Sequence, residues 1–149
     1  MKEDYVLTAE RILKKGGWIN NRNSAYYRGV EAFIKGTYTN NGKIFVLVEV
    51  DNRTNIPYDI LGISFISPPE QDGRGYKETN IKELNFEPIW TSQPEKLERK
   101  SKNKMVFVFD KFTIAENRNL QMIMTESEGE RTLNLEIKPK YILKAQYAN

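Results

Sequence analysis

The sequence contains no cysteine and no histidine. Without cysteine there are no disulfides, no thiolate metal sites and no cysteine nucleophile. Without histidine, the usual general base near neutral pH and the commonest metal ligand are both missing. Ser–His–Asp triads, the usual zinc sites and His-assisted nucleases fall away together. Only carboxylate or lysine chemistry remains to an enzyme, so the expectation is a non-enzymatic protein with no catalytic residue, no metal and no cofactor. No apolar run approaches the ~20 residues of a membrane span. The start, Met1 to Tyr5, lacks the charged-then-apolar pattern of a signal peptide. The glycines form no phosphate loop, since no Gly-Lys-Ser/Thr follows a strand. The stretch around Asp72 lacks the alternating acids of a calcium loop. An excess of one charge is absent as well: 23 basic residues face 20 acidic ones, for a net +3. Direct nucleic-acid contact would then need the basic residues gathered on one face.

What is present fits one domain: 149 residues, 39% hydrophobic and 29% charged, enough to bury a core without staples. Tyr5 to Lys15 reads as a short helix, with Tyr5, Ala9, Ile12 and Leu13 on one side and Gly16-Gly17 as the stop. Trp18 to Ala25 is an asparagine-rich loop. From Tyr26 the period becomes two, with Val30, Ala32 and Ile34 alternating against Glu31, Phe33 and Lys35. Thr39-Asn40-Asn41-Gly42 supplies a hairpin turn. Ile44 to Val50 is apolar on both faces until Glu49, which places it mid-sheet. Asp51 to Pro57 is a polar connection, where Asn52-Arg53-Thr54 matches the glycosylation sequon but reads more simply as a turn held by Asn and Thr side chains. Strands are expected at Tyr58 to Ile66, Tyr76 to Leu84, Phe86 to Thr91, Met105 to Phe109, Leu120 to Thr125, Thr132 to Ile137 and Tyr141 to Leu143. Ser67 to Gly75 is a loop with little to bury.

One helix followed by eight or nine short strands, with no crossover helices, predicts a mainly β fold. The simplest architecture is an immunoglobulin-like antiparallel β-sandwich with one short N-terminal helix; a small barrel is the alternative. The division expected is residues 1–25 as helix and loop and 26–149 as the sandwich.

Four constellations invite a functional reading. Arg99, Lys100, Lys102 and Lys104, with Lys96, are the candidate nucleic-acid residues, although Glu95 and Glu98 interrupt the run and an exposed loop between strands is the plainer reading. Tyr26 and Tyr27 beside Arg28 suit base or sugar stacking; more plainly, one ring enters the core and one stays on the rim. Trp18 and Trp90 suit a sugar platform or an interface anchor, or the packing of the helix on the sheet. Glu49, Asp51, Asp59 and Asp72 are scattered acids with no set separation visible in sequence.

Val50-Asp51-Asn52-Arg53-Thr54-Asn55-Ile56-Pro57-Tyr58-Asp59-Ile60 resembles the N-R-S/T-N-I-x-Y-D-I stretch of TraN proteins from conjugative transposons of Bacteroides and relatives. Met105 to Ile114 is similar to that family's F-x-x-D-K-F-T-I stretch. Glu87-Pro88-Ile89-Trp90 and Arg131-Thr132-Leu133-Asn134-Leu135 follow further segments of it, as do Tyr26-Tyr27 and Ala32 to Tyr38. The resemblance runs from about Ala9 to Ala145 and matches the C-terminal domain of the family. It implies a structural component of a conjugative, type IV secretion-like mating-pair-formation apparatus, periplasmic and associated with the outer membrane. The partners implied are other conjugation (Tra) proteins, a small outer-membrane lipoprotein among the candidates, and a homo-oligomeric ring in the full-length protein. Full-length members carry a signal peptide and a preceding region that do not appear here, which suggests a C-terminal domain or a shortened homologue. The family supplies no catalytic residues. Phe107, Phe109, Phe112 and Ile114 are read as core, Asn52, Asn55 and Asp59 as turn-shaping, and Tyr58 as closing one end of the sandwich.

The expected mode of action is protein–protein contact, by strand addition at a sheet edge. The candidate partner-binding residues are Pro69, Glu70, Gln71, Asp72, Arg74 and Tyr76, on the loop and polar strand. The alternatives are a glycan-binding cell-surface module and a single-stranded-DNA-contacting module.

Overall fold

The computed structural model describes residues 3–68, 83–112 and 120–149. The helix α1 (Asp4–Ile12) has Asp4 in its first turn and Arg11 in its last, which complements its dipole. It ends before the expected Lys15. Gly17 then takes φ +86°, and a Cβ there would sit 2.3 Å from the Lys35 carbonyl oxygen, so only glycine lets the chain pass this close to the sheet.

The first strands are two tight hairpins in series. β1 (Ser24–Tyr27) turns through Arg28-Gly29 into β2 (Val30–Asn40), and β2 turns through Asn41-Gly42 into β3 (Lys43–Asn52). All four turn residues have positive φ, the geometry that matches strand twist in two-residue hairpins. Sequence reasoning finds the second turn and misses the first, because Arg is an uncommon residue at positive φ.

The remaining strands are β4 (Tyr58–Ser67), β5 (Leu84–Phe86), β6 (Trp90–Thr91), β7 (Lys96–Leu97), β8 (Ser101–Asp110), β9 (Leu120–Glu126), β10 (Leu133–Ile137) and β11 (Gln146–Tyr147), with a short helix α2 (Pro139–Leu143) before the last. One sheet runs β1-β2-β3-β8-β6, and the other β10-β9-β4-β5, with β7 also on β4. Every pairing is antiparallel except β11, which runs parallel to β2 at Tyr38–Thr39. The protein is thus a β-sandwich of two antiparallel sheets with a short N-terminal helix.

The core between the sheets follows strict alternation. Val46, Val48 and Val50 of β3 and Met105, Phe107 and Phe109 of β8 meet Met122, Met124, Leu133, Leu135 and Ile137 of the second sheet. Phe65 stands edge-on to Phe107 and Phe109, at 4.9 and 5.0 Å between ring centroids, an arrangement aromatic quadrupoles favour. A smaller core lies on the outer face of the first sheet, where Ala9 and Ile12 of α1 cover Phe45, Leu47, Val106 and Val108. A register shift between Ile34 and Gly36 reverses the parity of β2, so Tyr38 points outward to join this second cluster.

The edges are managed piecewise. The free side of β2 is covered in turn by β1, by Asn23 and Ile19 backbone, by the Trp18 indole on the Thr37 carbonyl, and by β11. The stretch 84–97 is an edge strand of both sheets. It pairs with β4 through β5, crosses to β8 through β6, and returns to β4 through β7. Pro88 and Pro94 flank the crossing, where a missing N–H is tolerated.

Several expectations change. Lys96 to Lys104 is exposed as expected for most of its length but is not a loop: it contains β7, a turn with Lys100 at positive φ, and the first half of β8 paired to β3. Its lysines are accommodated because α1 covers only the other half of that sheet face. Tyr141 to Leu143 is helix rather than strand. Pro139 sits at its first turn, and adjacent Tyr141 and Ile142 are both buried, which strand alternation does not allow. Phe86 to Thr91 is split between two strands in different sheets. Asp51 and Asn52 belong to β3 rather than to the connection after it. The loop near 67–75 and the strand Tyr76 to Leu84 fall almost wholly outside the described residues, as does Ile114.

Candidate functional site

The most developed polar arrangement closes one end of the sandwich, where the chain passes from β3 to β4. Asn52 is 1% exposed. Its Oδ1 accepts the Thr54 N–H and hydroxyl at 3.0 and 2.7 Å, and its Nδ2 donates to the Ile56 and Glu98 carbonyls at 2.9 and 3.1 Å. The side chain therefore holds its own turn and the β7–β8 turn together. Arg131, 73 positions beyond Tyr58, reaches back to the same place. It grips Glu126 through Nε and Nη2 at 3.0 and 2.7 Å, and donates to Thr54 Oγ1 and the Pro57 carbonyl. Its guanidinium lies 5.1 Å from the centroid of the Tyr58 ring. The Tyr58 hydroxyl is hydrogen-bonded to the Arg131 carbonyl and lies 3.2 Å from that of Met124.

The electrostatics agree with a structural clasp. Hydrogen bonding to Arg131 holds the Glu126 carboxyl below its usual range, and the Arg131 guanidinium is raised in turn by Glu126. Burial pushes the Tyr58 hydroxyl up. Asn55 accepts from Arg99 at 2.9 Å, whereas Asp59 is exposed on β4.

The four basic residues divide between the β7–β8 turn, which holds Arg99 and Lys100, and strand β8, which holds Lys102 and Lys104. Arg99 is held by Asn55, and the Lys100 N–H donates to the Thr54 carbonyl. Lys102 and Lys104 stand on the outer face of the first sheet, directly opposite Asp51 and Glu49. Lys104 also donates to the Lys15 carbonyl at 2.7 Å. Each cation on the strand thus has a carboxylate as its ladder neighbour, which cancels most of its long-range field.

That outer face holds Asp51, one of the four scattered acids, whose burial the reading of the sequence did not reveal. Asp51 is 4% exposed, and its Oδ1 is buried without a hydrogen-bond partner. Burial first, then hydrogen bonding and repulsion from Glu49, push its pKa up to about 6, against the pull of Lys102 and Arg53. Its other neighbour across the strands is Glu31, which is paired with Arg53 at 2.6 Å. The signal was available: Glu49 and Asp51 are two apart on a strand, hence on one face, opposite Val48 and Val50. Of the other acids, Asp59 is on the second sheet and Asp72 lies outside the described residues.

Tyr26 and Tyr27 are 58% and 38% exposed, so neither enters the core. They sit on an edge strand, and Arg28 lies 5.1 Å from the Tyr27 ring centroid. Trp18 and Trp90 are partly buried against the helix-side core. Trp18 packs edge-on to Tyr141 at 5.7 Å, consistent with a packing role.

Among the described residues, one edge of strand β4 is covered in two separate pieces. β7 and the Glu95 carbonyl serve it from Tyr58 to Ile60, and β5 serves it from Phe65 to Ser67. Between them, Gly62 to Ser64 pair with β9, and no strand among the described residues runs along their other side. A cavity of about 380 Å³ opens there, lined by Ile63, Ser64, Phe65, Asn85, Phe86, Glu87 and Pro88. Leu61, the extra residue of a bulge, is 67% exposed beside it, and Ile89 is 39% exposed. The expected partner-binding residues Pro69, Glu70, Gln71, Asp72, Arg74 and Tyr76 lie outside the described residues. Among the described residues no group of three or more acidic side chains is arranged to hold a metal ion, and no helix is long and apolar enough to cross a membrane.

Compared with known families, residues 7–147 match one described as a domain of unknown function, DUF4138. No curated protein and no solved structure matches the chain.

Proposed function

The chain belongs to the DUF4138 family, and we propose that it is a non-enzymatic assembly module acting through protein–protein contacts, within a conjugative transfer apparatus as its resemblance to TraN proteins suggests. The observation that supports this best is the stretch of β4 from Gly62 to Ser64, along whose outer side no strand runs among the described residues, with a cavity of about 380 Å³ beside it. Backbone N–H and C=O groups on an uncovered edge take an added strand, and a flanking pocket selects its side chains. The exposed Leu61 and Ile89 provide apolar area at the rim. The polar clusters, by contrast, are consumed in holding the fold: Asn52, Arg131, Glu126 and Tyr58 spend their hydrogen bonds on the backbone and on one another.

The test is photo-crosslinking in a conjugating donor cell. p-Benzoylphenylalanine replaces Leu61 in one variant and Ile56, 65% exposed but away from this edge, in another. A discrete adduct with another transfer protein from position 61, and not from 56, supports the reading. Equal or no adducts from the two positions would exclude the edge as the contact.

A further inference from the structure

The C-terminal helix α2 carries a second surface, and its chemistry names a partner more narrowly. Pro139 starts the helix, and Tyr141 and Ile142 turn inward. Trp18 packs on Tyr141, and the Thr37 hydroxyl donates to the Tyr141 carbonyl. The helix is thereby clamped to the sheet, and its other side is left to solvent. That side is a cavity of about 440 Å³ lined by Lys138, Pro139, Lys140, Leu143 and Lys144. Its walls are of two kinds. Pro139 and Leu143 are apolar, and Leu143 is 52% exposed. The three lysines are exposed, and among the described residues none of their ammonium groups meets a carboxylate. Lys140 alone has a ring contact, 5.3 Å from the Tyr141 centroid.

Among the described residues no ion pair neutralises this charge, and the nearest acid along the chain is Glu136, exposed at the end of β10 two residues before Lys138. From residue 137 to 149 there are three lysines and no acid. This contrasts with β8, where Lys102 and Lys104 each face a carboxylate. Lysines without ion pairs that line a depression with apolar walls favour an anionic occupant that also brings an apolar group. The cavity is of the size that accepts one large side chain with its flanking backbone.

We propose that the α2 surface is a docking site for an acidic segment of a partner protein, which places one large apolar side chain against Leu143 and Pro139 between Lys138, Lys140 and Lys144. The proposal rests on the reading of this domain as a protein-binding module but not on the β4 edge. Failure of one therefore leaves the other standing.

The test uses the whole chain and a fluorescein-labelled heptapeptide of acidic residues with one central Phe, measured by fluorescence anisotropy at low salt. The peptide is expected to saturate the protein at micromolar concentrations. Affinity should fall at least tenfold in the Lys138→Glu/Lys144→Glu variant, and severalfold both in Leu143→Ser and when Ser replaces the Phe of the peptide. All these protein positions are exposed, and thermal melts matching the parent establish that the variants are folded. Unchanged binding in the lysine variant would overturn the proposal. So would indifference to the Phe, or equally tight binding of a single-stranded oligonucleotide or of phosphatidylglycerol vesicles, since each would reduce the surface to a general anion patch.

Discussion

Replacing Asp51 with Asn should stabilise this protein at neutral pH, and the gain should disappear in acid. Asp51 is almost fully buried on the outer face of the first sheet, its Oδ1 lacks a partner, and Glu49 stands two residues away on the same face. Its pKa rises from 3.8 to about 6 on folding. A carboxyl whose pKa is raised binds its proton more tightly in the folded state, so its contribution is most favourable below pH 3.8 and is lost as pH rises through about 6. At about 1.4 kcal/mol per pH unit, the ionised group costs the folded state about 3 kcal/mol above pH 7. About 2 kcal/mol of that cost accrues between pH 4.5 and 7.5.

An amide in the same place carries no charge, but it buries polar atoms of its own at a cost of about 1 kcal/mol. The net gain expected for Asp51→Asn at pH 7.5 is therefore about 2 kcal/mol. With an m-value of about 2 kcal/mol/M, the urea midpoint should rise by about 1 M at pH 7.5 and stay near the parent value at pH 4.5. Tryptophan fluorescence reports the transition through Trp18 and Trp90, both packed against the helix-side core. Glu126 works in the opposite direction. Its pKa is lowered from 4.5 by Arg131, so its contribution is present above pH 4.5 and is lost as pH falls below it, largely outside this window. An Asp51→Asn variant no more stable than the parent at pH 7.5, or one with the same gain at both pH values, would refute the assignment of strain to a buried, ionised Asp51.

Three further perturbations probe other joints of the structure. Arg131→Ala leaves Glu126, whose side chain is only 10% exposed, without its partner, and should cost about 3–5 kcal/mol in denaturant melts; Arg131→Lys should recover little of it, since one ammonium cannot replace the forked contact with Glu126, Thr54 and Pro57. Gly17→Ala places a methyl 2.3 Å from the Lys35 carbonyl oxygen at φ +86° and should cost at least about 2 kcal/mol, read as a lower melting temperature. Asn23→Ala removes the amide that donates to the Glu136 carbonyl at 2.6 Å and accepts the Lys138 N–H; a loss of about 1–3 kcal/mol is expected, with faster amide exchange at Lys138 as its local signature.

The parts of the fold that could be read in the sequence are those governed by neighbours in the chain. Asn41-Gly42 declared its turn because positive φ at both positions restricts the residues that fit. The Val46–Val48–Val50 and Leu133–Leu135–Ile137 faces declared theirs because side chains alternate on a strand. The Asn52-Arg53-Thr54 turn was legible for the same reason, since its hydrogen bonds close within four residues. What could not be read depends on what covers a surface. Lys102 and Lys104 look like a loop until β3 brings Asp51 and Glu49 opposite them. Tyr141-Ile142-Leu143 is three apolar residues, too few to carry a period, and Trp18 and Thr37 decide that it is a helix. The crossing of residues 84–97 between two sheets has no local signature beyond Pro88 and Pro94.

The residues on which the proposed TraN relationship rests are for the most part committed to the scaffold. Asn52, Thr54, Pro57, Tyr58 and Arg131 come from two separate motifs and converge on one clasp, which binds the sheet-to-sheet connection to the β9–β10 hairpin. Phe107 and Phe109 of the third stretch fill the core, and Asp110 pairs with Lys43 at 2.8 Å on the strand end. Order and spacing along the chain thus record a set of joints, which is why the motifs look chemically unremarkable one by one. The proposed contact surfaces lie largely outside these joints: Leu61 follows the first motif and Lys138 to Lys144 follow the last, whereas Glu87 and Pro88 in the cavity beside β4 belong to a further motif. A relative could keep every joint and exchange these surfaces, so a shared scaffold leaves partner choice open. Variants at Leu61 and at Lys138 with Lys144 should therefore alter binding while leaving the melting temperature in place, whereas Arg131→Ala should do the reverse of that separation and lower both together.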